Sequence, residues 1–285
     1  MARVKAATPG DFAALLEELD TLLPKEGHFA EREAAQKWLL ALWISKDADA
    51  AVTCVAGKQD KFLGSTFGLV LGSVAPDIVA AVLAGPHKND LGDYFPSAAL
   101  RSLATADPRE FLKLSLDKNA AGSPWIRNWP RALATLADSD PVAAAAAWTA
   151  AGTKEPSRNS ALFSLLASWT ERDLPGARLW AESLTNDADR QIARHAWLGT
   201  LARRDPRAAL KELAGMDAGE FLPGNHDVTR LLDARVEIVA ALARESLPEA
   251  IAAIQDLKKL TAGTAGPTGA VPDPDDGTAP LPCQN

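Results

Sequence analysis

The side chains that carry most enzymatic chemistry are thinly spread in this 285-residue chain: four histidines (His28, His87, His195, His226) and two cysteines (Cys54, Cys283). A metal site built on a helix needs ligands about one turn apart, such as His at i and i+4. No two of these residues stand at that spacing, and two cysteines supply neither a four-ligand zinc site nor a disulfide framework. A nucleophile elbow, a Walker-type phosphate loop and a hydrolytic carboxylate pair are also missing. The sequence therefore assigns no catalytic residue, no metal and no cofactor. Cys54 reads as a small buried apolar residue on a helix. Gly64, Gly68 and Gly72, four apart, read as close helix packing.

Residue types suited to recognition are better represented. Trp125 and Trp129 flank Arg127 within Ser123–Pro130, which reads as a broad connection ahead of a helix. Packing between neighbouring repeats is the first reading of this pair; the alternative is a recognition platform of two rings around a guanidinium. The other six tryptophans, Trp38, Trp43, Trp148, Trp169, Trp180 and Trp197, lie in apolar helical contexts and read as core. His195, with Arg190 and Arg194, reads as a surface or groove residue. Together with Arg203, Arg204 and Arg207 these arginines form a basic cluster, either a docking patch for an acidic peptide or solvated faces with ion pairs. An insertion, Gly215–Asp227, reads as a neutral elongation of one unit or, alternatively, as a functional loop with Phe221 as an anchor beside His226 and Asp227. Partner binding is accordingly expected at Trp125, Arg127, Trp129, Arg190, Arg194, His195, Phe221, His226 and Asp227.

These residues must be positioned by helices, because one dipeptide beats time along the chain. Asp-Pro occurs at Asp107–Pro108, Asp140–Pro141 and Asp205–Pro206, with Asp173–Leu174–Pro175 as an expanded form; the aspartates stand 33, 33 and 32 residues apart. Proline suits the first turn of a helix, and a preceding aspartate accepts from the amides exposed there. Each Asp-Pro thus marks the end of one helix and the start of the next. Seven and four residues before the cap, large apolar residues recur: Leu40 and Trp43, Leu100 and Leu103, Leu133 and Leu136, Leu166 and Trp169, Leu198 and Leu201, Val239 and Leu242. Three residues are close to one turn, so both positions face one core. Four residues after the cap stand Ala51, Ala144, Ala177 and Ala209, with Phe111 as the exception. A weaker unit is capped at Ala75.

Such a period predicts an all-α fold, a right-handed superhelical α-solenoid of about seven helical hairpins. Thr8–Asp11 resembles a capping box opening an amphipathic end-cap helix, Phe12–Leu23. The expected organisation is a capping segment over 1–29, a repeat array over 30–260, and a disordered acidic tail over 261–285. In that tail 9 of 25 residues are Gly or Pro.

A formal charge of −7 and a pI near 5.2 argue against a general grip on nucleic acid. No stretch approaches 18 uninterrupted apolar residues, so no membrane span is expected. Met1–Asp11 lacks the apolar core of a secretory signal; the chain as written reads as cytoplasmic, or as periplasmic or membrane-anchored had a leader been removed.

The hairpin period and cap-to-cap layout resemble tetratricopeptide-type α-solenoids. Ser160–Leu184 and Asp205–Leu210 are similar to a group of mostly uncharacterised bacterial repeat proteins whose units read roughly Leu-Leu-x-x-Trp-x-x-x-Asp-Pro-x-x-Ala. The similarity spans about residues 30–260 and departs from the standard tetratricopeptide signature, whose Trp-Leu-Gly and downstream Tyr do not recur. It implies an architecture and a non-catalytic scaffold gripping a protein or peptide along the concave face. The alternatives are a small-molecule binder or enzyme using the groove near 215–227, and a structural spacer in a larger assembly.

Overall fold

The computed structural model describes residues 7–24, 26–117, 124–152, 157–214 and 228–262. Fifteen α-helices account for most of them, and no strand occurs among the described residues. In chain order they are α1 (Phe12–Leu22), α2 (Phe29–Lys46), α3 (Ala48–Lys58), α4 (Lys61–Val74), α5 (Val79–Ala84), α6 (Phe95–Ala106), α7 (Pro108–Asp117), α8 (Pro124–Ser139), α9 (Pro141–Ala150), α10 (Arg158–Arg172), α11 (Leu174–Glu182), α12 (Asp187–Arg204), α13 (Pro206–Ala214), α14 (Val228–Glu245) and α15 (Leu247–Ala262). No single helix among the described residues is long and apolar enough to cross a membrane.

The aspartates end one helix and begin the next with no loop between. At Asp140 the backbone N–H still donates to the Leu136 carbonyl, four residues back, while its own carbonyl accepts from Ala144, four residues on. Its φ of −148° and ψ of 82° turn the chain at that single residue. The side chain accepts from the Ala143 amide at 3.0 Å, satisfying a donor the new helix would otherwise leave unpaired. Asp47, Asp107, Asp173 and Asp205 repeat all three hydrogen bonds, with side-chain distances of 2.9, 3.0, 2.9 and 2.9 Å. Ser246 makes the same backbone break, donating to Leu242 and accepting from Ala250, whereas Ala75 donates to Leu71 but accepts from Ile78, three residues on, and opens a 3-10 turn. The shared geometry explains the recurrence of small residues after the cap. Ala51, Ala144, Ala177, Ala209 and Ala250 are all buried where the first full turn of the second helix meets the first.

The chain divides into two compact units, Met1–Thr200 and Leu201–Asn285. In the first, α2 packs on α4, α4 on α6, α6 on α8 and α8 on α10, while α3, α7, α9 and α11 each pack on the helix just before them. The core residues named from the cap frame are buried: Leu40, Trp43, Leu100, Leu103, Leu133, Leu136, Leu166, Trp169 and Leu198. α1 lies on α2, with Phe12 stacked 5.6 Å from Trp43 and Leu16 buried. Asp11 accepts from both the backbone N–H and the hydroxyl of Thr8, at 2.8 and 2.7 Å. Leu22 departs from the expected apolar face of α1 and is exposed.

Helices α4 and α6 pack closely because Gly68 and Gly72 face α6, while Gly64 faces the turn at Leu91 just ahead of it. A Cβ at Gly68 would stand 2.8 Å from the Phe95 carbonyl oxygen; at Gly72 it would stand 2.8 Å from the Leu103 amide nitrogen. At Gly64 it would overlap the Leu91 carbonyl. Backbone replaces side chain at this interface.

In the second unit α14 packs on α13 and α15. Leu242 and Ile238 are buried, whereas Leu201 and Val239 are only partly so, which weakens the frame here. Helix α15 runs through Thr261 and Ala262, so the expected tail boundary moves slightly outward. The rest of that tail, like the 215–227 insertion, lies outside the described residues.

Candidate functional site

The aromatic pair flanking Arg127 is on a helix, not in a connection. Pro124 occupies the first position of α8, where its missing N–H costs nothing, and Pro130 is carried inside the helix. Trp125, 8% exposed, packs 5.4 Å from Phe111; Trp129, 2% exposed, donates its indole N–H to the buried Ser115 hydroxyl at 2.9 Å. The two rings fill the space between α7 and α8 and leave Arg127 alone at the surface. Phe111 at the usual alanine position belongs to the same substitution: a ring there is met by rings opposite.

His195 is 6% exposed, a buried residue of α12 rather than the surface one expected. Arg190 binds the Leu184 carbonyl and the Asp187 carboxylate, closing the start of α12; Arg194 is half-buried. Farther on, Arg203 pairs with Glu237 at 3.3 Å, and Arg207 with Glu245 and Glu249, both at 2.8 Å. Hydrogen bonds from Arg207 hold the Glu249 carboxyl below its ordinary range. Arg190, Arg203 and Arg207 of the basic cluster each carry an ion pair. Phe221, His226 and Asp227 lie outside the described residues.

For chemistry the inventory is short. Among the described residues no group of three His, Cys, Asp or Glu side chains could hold a metal ion. Cys54 is half-buried on α3, and burial pushes its thiol above the ordinary value, with Lys58 opposing more weakly. His87 and Asp90 stand 3.5 Å apart on an exposed turn.

What the fold does create is a groove over α2, α4 and α6, about 530 Å³ in volume. Its walls are Ala34, Lys37, Trp38 and Ala41 from α2, Leu69, Val70, Ser73 and Val74 from α4, and Ser102 from α6. Trp38 is 41% exposed, the most exposed of the eight tryptophans, and Val74 is nearly as open. The Ser102 hydroxyl donates to the Leu69 carbonyl at 2.5 Å and ties α6 to α4 across the floor. Lys37 is held by Glu33 at 2.7 Å on one rim. Trp38 was read as core from its apolar surroundings, and the structure corrects this. At about 100° per residue it lies roughly 140–160° around α2 from Leu40 and Trp43, so the cap frame itself places it on the opposite face.

A second hollow, about 390 Å³, lies in the other unit between α13, α14 and α15. Leu210, Leu242, Ala252 and Ala253 line it, with Arg207, Lys211, Glu249 and Asp256 around them. Both signs of charge surround it, and its arginine is already engaged.

No protein-family model matches the sequence, and no curated protein or solved structure matches it.

Proposed function

We propose that the chain is a non-catalytic binding scaffold: a right-handed α-solenoid of about seven helical hairpins that grips a protein or peptide segment along its first helices. Trp38 and the groove around it form the anchoring pocket. The solenoid reading is supported by the single-residue breaks of common geometry and by each first helix packing on the next through α2, α4, α6, α8 and α10. Binding is supported above all by one observation. Trp38 is held half out of the protein over an apolar floor, while Trp43, Trp125, Trp129, Trp148, Trp169 and Trp197 are buried.

A large flat ring beside small residues is the usual anatomy of an anchoring pocket. Ala34, Ala41 and Ser73 leave room beside the indole, and an aliphatic or aromatic side chain placed there would shed water from both partners.

Selection of a displayed library of linear peptides, about 12 residues long, against the intact protein tests this. We expect sequences with a recurrent apolar anchor, whose binding weakens at least about tenfold, or roughly 1.4 kcal/mol, in Trp38→Ala and in Val74→Asp. Peptides that bind these variants as well as the parent, or the absence of any enriched sequence, would favour the spacer reading.

A further inference from the structure

The first-helix face that carries the groove continues as a strip of arginines with no ion-pair partner among the described residues, and this gives the partner a chemistry. Counting back from each cap, the groove uses positions 13, 9 and 6 of α2 (Ala34, Trp38, Ala41) and position 6 of α4 (Leu69). On α6 position 6 is Arg101; on α8 positions 13 and 9 are Arg127 and Arg131. All three are exposed, and none enters an ion pair among the described residues. Arg101 adjoins Ser102, which lines the groove, and α4, α6 and α8 pack in succession, so the cations extend the same face.

The second helices behave differently. Arg109 pairs with Asp140, Lys113 with Glu110, and Arg178 with Glu182. Helices α4, α6 and α8 together hold Lys61, Arg101, Arg127 and Arg131 against one acid, Asp138, which sits at the far end of α8. Asp93, just ahead of α6, answers Lys61 at 3.8 Å, whereas Arg101, Arg127 and Arg131 have no acidic partner among the described residues of a chain of net charge −7.

We propose that the partner is an acidic–apolar peptide segment: an apolar side chain seats beside Trp38, and carboxylates farther along the segment meet Arg101, Arg127 and Arg131. Arginine forks suit carboxylates, and exposed cations without partners incur little desolvation when they acquire one. This inference rests on the groove being a binding site and adds the charge and direction of its occupant. Aromatic and arginine side chains together also suit single-stranded nucleic acid. The acidic whole opposes that, because a polyanion as long as the face would be repelled by its surroundings.

The test uses the intact protein and peptides of about 12 residues selected on it. Selected sequences are expected to carry Asp or Glu to one side of the apolar anchor. Their binding, read by fluorescence anisotropy, should weaken at least about tenfold in the double variant Arg101→Glu/Arg131→Glu, and also between about 50 and 500 mM salt. Both arginines are exposed, and circular dichroism of the variant checks that it folds. Peptides lost in Trp38→Ala yet indifferent to the charge reversal would overturn this inference and leave the groove standing. Peptides indifferent to both, or no selected peptide, would overturn the groove as well. Binding of oligothymidylate of about 20 nucleotides, abolished by the reversal while no acidic peptide binds, would assign the strip to nucleic acid instead.

Discussion

At Asp140 two demands meet on one carboxylate: one oxygen accepts from the Ala143 amide, the other from Arg109. The amide contributes most to holding its carboxyl below the ordinary range, with Arg109 adding to it against the cost of desolvation. Glu249, bound by Arg207, is shifted the same way. A carboxylate lowered by folding adds stability above its unfolded value, near pH 4, and that contribution fades as pH falls through the folded value. Asp140→Ala and Glu249→Gln are therefore expected to lower the urea midpoint at neutral pH, and the gap to the parent should narrow below about pH 4. Urea titrations followed by circular dichroism across that range check this; a gap independent of pH would remove the charge from the account. The uncharged part of a cap is tested separately by Asp107→Asn, which keeps an acceptor for the Glu110 amide, against Asp107→Ala, expected to cost about 1 kcal/mol more.

On the scale of elements, α4 and α6 are held by what Gly64, Gly68 and Gly72 lack. Alanine favours a helix over glycine by about 1 kcal/mol, so propensity alone would make Gly72→Ala stabilising. Its Cβ would press on the Ala99 carbonyl and stand 2.7 and 2.8 Å from Ser102 Cβ and the Leu103 amide, and backbone cannot step aside as a side chain can. We expect net destabilisation of about 1–3 kcal/mol in equilibrium unfolding; an unchanged or raised midpoint would show that the helices part freely. This interface was legible beforehand, because glycines four apart lie on one helix face. The caps were legible for a similar reason: proline's missing donor and aspartate's acceptor act within four residues. The packing role of Trp125 and Trp129 was legible too, but not their place on a helix, because the Pro-flanked stretch Ser123–Pro130 read as a connection whereas the helix begins at Pro124 and carries Pro130 inside it. What fills the gap beside Phe111 is decided by packing between elements, which local chemistry does not encode. Trp38 was misplaced differently: hydrophobicity says that a side chain is apolar, and only its angle from Leu40 and Trp43 says which way it points.

At the scale of the whole molecule, the first unit, in which each first helix packs on the next and each second helix on its own first, is expected to lose stability piece by piece. Native-state hydrogen exchange on Gly72→Ala is expected to show lost protection in α4 and α6, with α10 and α11 near their parent values. Uniform loss across α2 to α11 would mark one cooperative core and count against stacked repeats. The same logic bears on the proposed function: α2, α4, α6, α8 and α10 pack in succession, and the groove proposed as an anchoring pocket opens beside Trp38.

The most direct measurement is the hydrogen-exchange footprint of a selected peptide on the intact protein. The account predicts slowed exchange over residues 34–41, 69–74 and 98–105, with the second helices α3, α7 and α9 unaffected. Protection centred on those second helices, or on α13 to α15, would contradict it.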